Sequence, residues 1–223
     1  VHRTYLFREF PTLQRVNDFI EKEMPENTRI ISYGCSDGSE LVSLLLDRQL
    51  RGLRKPVRYE GVDIVESVIQ TARKGRYRLD PDGDPKESAS FEQVFSQHDP
   101  HQYLTKEGEN TWQLKPEYLS QLSYRQGSIQ TVTRQELGEQ PVVLLFRNAW
   151  YHLNQHYFVA RDLYQAMPPG SLLVIGSVDV GSDFDRPKPR ESLLDAGFEL
   201  ANLCPESPGE NVKIYRRTRD WVT

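Results

Sequence analysis

Arg29-Ile30-Ile31-Ser32-Tyr33-Gly34-Cys35-Ser36-Asp37-Gly38 is the stretch on which the reading of this chain turns. A short apolar run ends in a turn with two glycines. Leu41, Leu44, Leu45 and Leu50 then follow at helical spacing. That order predicts strand, turn and helix. Arg58 to Asp63 predicts a second strand, and Val65, Val68, Ile69 and Ala72 a second helix that stops at Gly75. Upstream, Leu13, Val16, Phe19 and Ile20 line one face of a helix after Pro11.

Further along, Pro141 to Phe146 reads as a central strand, because Val142 to Phe146 is wholly apolar and suits burial on both faces. A helix is expected from about Asn154 to Met167, ended by Pro168-Pro169-Gly170. Ser171 to Val178 predicts another buried strand, Ser192 to Ala196 a short helix, and Phe198 to Leu203 and Asn211 to Arg217 the last two strands. Strands alternating with helices imply βαβ units and a parallel sheet. The polar stretch from Tyr77 to about Tyr124 interrupts the pattern. Tyr103-Leu104 and Thr111-Trp112-Gln113-Leu114 flank a turn-forming segment, which predicts a β-hairpin in an inserted subdomain at about 78–124. The whole chain, 1–223, is expected to form one domain around that insertion.

Composition narrows the function classes. Of 223 residues, 37% are hydrophobic and 27% charged, with a net charge of −4. A mildly acidic chain offers no electrostatic case for general nucleic-acid binding, and no apolar run is long enough to span a bilayer. Arg48, Arg51, Arg54, Lys55 and Arg58 crowd one stretch, read either as a solvated helix end and loop or as a docking patch for an acidic partner. The two cysteines, Cys35 and Cys204, stand far apart with no metal-ligand spacing around them, so neither a disulfide framework nor a metal is expected. A reducing cytoplasm fits this usage. No secretory signal is visible, and the chain starts at Val1 without Met, which reads either as a trimmed chain or as an excised domain with a partner domain missing upstream.

Three places carry chemistry. A turn containing Gly34 and Gly38 lets backbone approach a ligand closely at the sheet edge, where open α/β sheets bind ligands. Its G-x-x-x-G spacing is neither the dinucleotide fingerprint nor a phosphate loop, and the turn also reads as an ordinary strand-to-helix connection. Asp63 ends the second strand, where an acid can accept hydrogen bonds from ribose hydroxyls; it also reads as a helix N-cap. Arg147-Asn148 ends the apolar strand at the same edge, as ligand contacts or as capping residues.

On these residues the chain resembles the chemotaxis-type (CheR-like) protein-glutamate methyltransferases, which use S-adenosylmethionine (SAM). Thr4-Tyr5-Leu6-Phe7-Arg8-Glu9 is similar to that family's T-x-F-F-R-[ED] segment. Gly34-Cys35-Ser36-Asp37-Gly38-Ser39-Glu40 resembles its G-C-S-x-G-E-E turn, and Gly61-Val62-Asp63-Ile64 its A-x-D-I strand end. Ala72 to Tyr77, Phe146-Arg147-Asn148 and Pro169 to Leu173 match further family segments in the family's order. The resemblance implies a Rossmann-like SAM-dependent methyltransferase fold. Its mostly parallel sheet has seven strands, helices on both faces and the small inserted subdomain. It implies that Thr4 and Arg8 border the methionine end of SAM, Arg8 facing the reacting centre. Glu40 would meet the cofactor's amino group and Asp63 the ribose. Ser128 and Ile129 would flank the adenine, Asn148 and Ala149 line the floor, and Gly34, Ser36 and Gly38 shape the cofactor turn.

The chain also departs from the pattern. Ser39 replaces the first Glu of the Glu-Glu pair, Leu41-Val42 the following Pro-Tyr, Ser128 an Asn, and His152 a Tyr that orients the substrate carboxylate. The resemblance implies methyl transfer to a protein carboxylate, with Arg8 and His152 catalytic, S-adenosylhomocysteine as product, and a receptor or signalling protein as acceptor. His152 also reads as a base for another acceptor or as a surface or packed histidine. Two rival functions remain: a non-catalytic SAM-binding interaction module, and a small-molecule methyltransferase.

Overall fold

The computed structural model describes residues 4–79, 85–153, 155–176, 189–201 and 213–218. The main sheet is assembled from β1 (Thr28–Tyr33), β2 (Val57–Asp63), β6 (Leu122–Gln126), β7 (Val143–Phe146), β8 (Leu172–Ile175), β9 (Glu199–Leu200) and β10 (Lys213–Arg216). Their spatial order is β6-β2-β1-β7-β8-β10-β9. β1 lies at the centre, parallel to β2 on one side and to β7 on the other. Only β10 runs against its neighbours. β3 (Arg76–Arg78), β4 (Leu104–Lys106) and β5 (Thr111–Leu114) form a separate antiparallel sheet in the order β3-β5-β4.

Alternation along the central strands divides the interior between the two faces of the sheet. Ile31, Leu144 and Leu173 pack with Val159, Ala160 and Leu163 of α7 (His156–Ala166). Ile30, Val143, Leu145 and Val174 face the opposite way. There they meet Leu13, Val16 and Ile20 of α1 (Phe10–Glu23), and Leu41, Leu44 and Leu45 of α2 (Ser39–Arg51). α2 is apolar on a second side as well. Its Val42 and Leu46 enter a third core with Leu6 and Phe7 from the N-terminal segment, Tyr77 from β3, Leu104 and Trp112 from the small sheet, and Phe91 and Phe95 of α4 (Pro85–Phe95). The inserted subdomain thus shares a core with the N-terminal segment.

The expected helices and strands of the main sheet are present, with shifts at their ends. α3 (Glu66–Lys74) stops at Gly75, which takes the left-handed conformation at φ 59° that ends many helices. The helix expected from about Asn154 starts at His156, and the one expected at Ser192 to Ala196 runs Pro189–Asp195 (α8). Val65 is 37% exposed rather than buried, and Leu50 only half-buried. Elements beyond the expected hairpin lie in the stretch read as polar insertion, β3, α4 and β6 among them. β3 adds a third strand to the expected hairpin. α4 begins at Pro85. β6 belongs to the main sheet, paired with β2 from Tyr59↔Leu122 to Asp63↔Gln126. β6 is an edge strand in which only Tyr124 is fully buried, so it has no apolar run to reveal it. The expected strand residues at 177–178, 202–203 and 211–212 lie outside the described residues, as do Asn154, Cys204 and Trp221.

The basic stretch is largely turned onto the chain itself. Arg48 pairs with Glu21 at 2.7 Å, Arg51 with Asp18 at 2.6 Å and Asp47 at 2.7 Å, and Lys55 donates to the Met24 carbonyl at 2.6 Å. These bonds fasten the end of α2 to α1. Among the described residues, no helix is long and apolar enough to cross a membrane.

Candidate functional site

The loops that leave the C-terminal ends of β1, β2, β6 and β7 meet at one edge of the sheet and enclose a cavity of about 660 Å³. The volume suits a nucleoside-sized ligand. The turn after β1 contributes Gly34, Ser36 and Glu40; the end of β2 contributes Asp63 and Ile64. Ser128 and Ile129 come from the segment after β6, and Asn148, Ala149 and His152 from the segment after β7. Thr4 and Arg8 reach the same cavity from the N-terminal segment.

Of the residues singled out from the sequence, Gly38 alone does not line the cavity. It sits at φ 82° at the start of α2, and a Cβ there would lie 2.3 Å from the Tyr124 hydroxyl. Its glycine therefore serves the turn's backbone and the close packing of Tyr124 behind it. Gly61 does the same one strand over, where a Cβ would meet the Tyr124 ring at 2.4 Å.

Asp63 joins two loops. Its Oδ2 accepts the Ser36 N–H at 3.1 Å, its Oδ1 the Val65 N–H at 3.1 Å, and its carbonyl the Gly127 N–H at 2.9 Å. The carboxylate is 6% exposed and lies on the cavity wall. Asp63 is not the N-cap of α3, which is Val65, but its bond to the Val65 N–H holds the chain just ahead of that helix. Each oxygen keeps acceptor capacity beyond its one backbone bond. On the far side Ser128 caps a short 3-10 turn, its Oγ accepting the Gln130 N–H at 3.2 Å. Asn148 adopts φ 59°, and its backbone and side chain lie where a Cβ on Gly176 would intrude, at 2.5 Å from Oδ1.

Arg147, placed at the sheet edge by the sequence, has partners there that the sequence did not reveal. Its side chain is only 4% exposed. One arm donates to Glu40 Oε1 at 2.6 Å; the other donates to Glu9 Oε2 at 2.6 Å and to the Arg8 carbonyl at 3.2 Å. Glu40 Oε2 accepts the Ser32 hydroxyl at 2.8 Å. Burial opposes the Arg147 charge, but Glu40 and Glu9 overcome it and hold the guanidinium above its usual range. The bridge Glu9–Arg147–Glu40 carries two negative charges and one positive, beside a fourth charge at Asp63. Among the described residues, Arg147 Nε has no hydrogen-bond partner.

The N-terminal segment is held on both sides of Arg8. The Phe7 ring sits against Phe10, Phe91 and Phe95, and the Phe7 N–H donates to Ser43 Oγ at 2.7 Å. Ser43 in turn donates to the Ser39 carbonyl at 2.7 Å, and Ser39 binds Asp37 in the cofactor-like turn. Phe7 and Glu9 both take positive φ, 64° and 52°, as do Ser36 at 51° and Asn148 at 59°. Such a conformation costs a residue with a side chain about 1–2 kcal/mol. Only one other described non-glycine residue, Asn27, has it, so the strained backbone gathers around this cavity.

His152 is exposed at the cavity rim, in the 3-10 turn Trp150–His152. Behind it, buried His156 stacks on Trp150 at 6.1 Å and does not reach the cavity. Cys35 lies under the turn, where burial and the charges of Asp63, Glu40 and Asp37 push its thiol well up, so it is no nucleophile at neutral pH. Among the described residues, no group of three or more His, Cys, Asp or Glu side chains could hold a metal ion.

Comparison with known proteins agrees with the fold. A TehB-like SAM-dependent methyltransferase from Corynebacterium glutamicum superposes with a TM-score of 0.50 at 11% identity, over 93% of this chain and 94% of that one. The CMeT domain of the citrinin polyketide synthase gives 0.51 at 14% identity over 93% of this chain, and the CurJ carbon methyltransferase 0.51 at 13% over 90%. This chain spans about half the length of the last two, 52% and 51%. At such identities the likeness is one of fold. No curated protein matches the chain in sequence. Residues 2–188 match the family model described as "CheR methyltransferase, SAM binding domain", so the chain belongs to the CheR methyltransferase family, and what it contributes is that family's SAM-binding domain.

Proposed function

We propose that this chain transfers the methyl group of SAM to a carboxylate on a protein, most simply a glutamate side chain. One observation carries the reading: Glu40, Asp63 and Asn148 come from three different strand ends, yet line one cavity that Arg8 and His152 also reach. The donor set fits the cofactor. A carboxylate pair with one shared arginine suits the ammonium group of a ligand's amino-acid end, and the Asp63 carboxylate suits paired sugar hydroxyls.

In this reading Asp63 holds the ribose, Glu40 the amino group, and Thr4 and Arg8 the remainder of the methionine end. Ser128 and Ile129 flank the adenine. Gly34 and Ser36 bring the turn's backbone close to it, and Asn148 and Ala149 form the floor. The bound cofactor supplies a methyl group already activated on a sulfonium. A glutamate carboxylate is an anion near neutral pH and requires no base. The protein's work is then to align the acceptor and exclude water, which is worth about 7–11 kcal/mol when geometry is well held. Arg8 grips the acceptor carboxylate through a charge-assisted pair, and His152 at the rim orients it. The acceptor is a receptor or signalling protein of the cytoplasm.

The test is transfer of labelled methyl from SAM into cell lysate, with products separated by size and then by alkali lability. Base-labile label on protein supports the reading. Label on small molecules replaces the acceptor with a metabolite. Tight binding of S-adenosylhomocysteine without transfer makes the chain a non-catalytic binding module.

A further inference from the structure

Glu9 does not line the cavity, yet it is one half of a charged bridge that joins the N-terminal segment to the cavity wall. Its partner Arg147 is shared with Glu40, so the charge Glu40 presents to the cavity depends on how much of Arg147 Glu9 takes. With both carboxylates present the bridge is negative overall. With Glu9 neutral, Arg147 is left to Glu40 alone, and the pair presents no net charge. Backbone geometry points to the same importance: Glu9 is kept at φ 52°, a conformation that costs energy and that puts its carboxylate on Arg147.

We propose that Glu9 is a specificity-determining residue that acts through Arg147, keeping the Glu40 side of the cavity negative enough to select ligands that place an ammonium group there. Glu9 touches no ligand; it is a positioning residue. The inference rests on the cofactor reading above. It adds that a residue outside the cavity, far from Glu40 in sequence, sets how strongly Glu40 attracts an ammonium group. Arg147 also bonds to the Arg8 carbonyl, so the same contact fixes the residue on the acceptor side.

Two probes separate charge from architecture. S-adenosylhomocysteine carries the ammonium; 5′-methylthioadenosine keeps the nucleoside and thioether but lacks the amino-acid end. Both are titrated calorimetrically into the whole chain and into Glu9→Gln and Glu9→Asp. Glu9→Gln is expected to weaken S-adenosylhomocysteine about tenfold, a size that Coulomb attraction at a partly buried site allows, and to change 5′-methylthioadenosine less than twofold. Glu9→Asp, which keeps the charge, is expected to recover most of the loss. Unchanged S-adenosylhomocysteine affinity in Glu9→Gln overturns the proposal. An equal loss for both probes also overturns it, since Glu9 would then be structural. Failure of the unmodified chain to bind either probe sinks the cofactor reading itself, which is a different result.

Discussion

The two sides of the cavity are built by different means. The side made by the turn after β1, the end of β2 and the end of β7 stands on a central parallel sheet, with residues such as Ile30, Ile31 and Leu144 wholly buried beneath it. The side made by residues 4–9 is itself neither strand nor helix. It is fixed by an aromatic cluster around Phe7, by the Phe7–Ser43 bond and by the Glu9–Arg147 pair. The first side is a generic product of the fold; the second depends on a few named contacts, several of them with the inserted subdomain. Functional individuality is therefore expected on the second side, where loss of one contact can move Arg8 without disturbing the strand ends that carry Asp63 and Asn148.

The sharpest way to break this contrast is Arg147→Met, because the buried Arg147 is bonded to both sides. Removal leaves Glu9 and Glu40 without their shared cation, and breaking a buried pair costs about 3–5 kcal/mol. Denaturant unfolding checks it; a loss below about 1 kcal/mol contradicts the clamp. Asp63→Ala probes the sheet-borne side. Losing charge-assisted hydrogen bonds should lower S-adenosylhomocysteine affinity about 30-fold, roughly 2 kcal/mol, by calorimetry. Gly38→Ala probes the turn from behind. A Cβ 2.3 Å from the Tyr124 hydroxyl, at φ 82°, should cost about 2 kcal/mol of stability, and Tyr124→Phe in the same chain should recover part of it.

The smallest effect concerns acid stability beneath the sheet-borne side. Glu60 is paired with Arg29 at 2.7 Å and with Arg125 at 2.5 Å. Burial raises its pKa, but the two arginines prevail and hold it below the ordinary 4.5. A folded-state pKa below the unfolded one adds stability above pH 4.5 that is lost as pH falls through the lower folded value. Glu60→Gln should flatten the decline of the thermal midpoint below about pH 5, by no more than about 1 kcal/mol. An unaltered acid limb contradicts the assignment.

The sequence made the first side legible because its signals are local. Ile30-Ile31 before Gly34, and Val142 to Phe146 before Arg147-Asn148, mark strand ends at one edge, and Asp63 follows from the same pattern. The second side was half legible. Thr4 and Arg8 came from resemblance, but the bond from Arg147 to Glu9 joins residues 138 positions apart, and no local pattern announces such a pair. Gly38 was read for the cavity because a glycine in a turn does not say which side needs the space; Tyr124 supplied the answer from a strand that was itself unread. β6 and α4 went unrecognised for a common reason: half-exposed elements carry few apolar residues, so periodicity has little to register.

The most direct test is a crystal structure of the chain with S-adenosylhomocysteine. The account predicts the ribose hydroxyls within hydrogen-bonding distance of Asp63, the ammonium beside Glu40, and the adenine against Ile129. A ligand bound elsewhere, or one whose sugar faces away from Asp63, would contradict it.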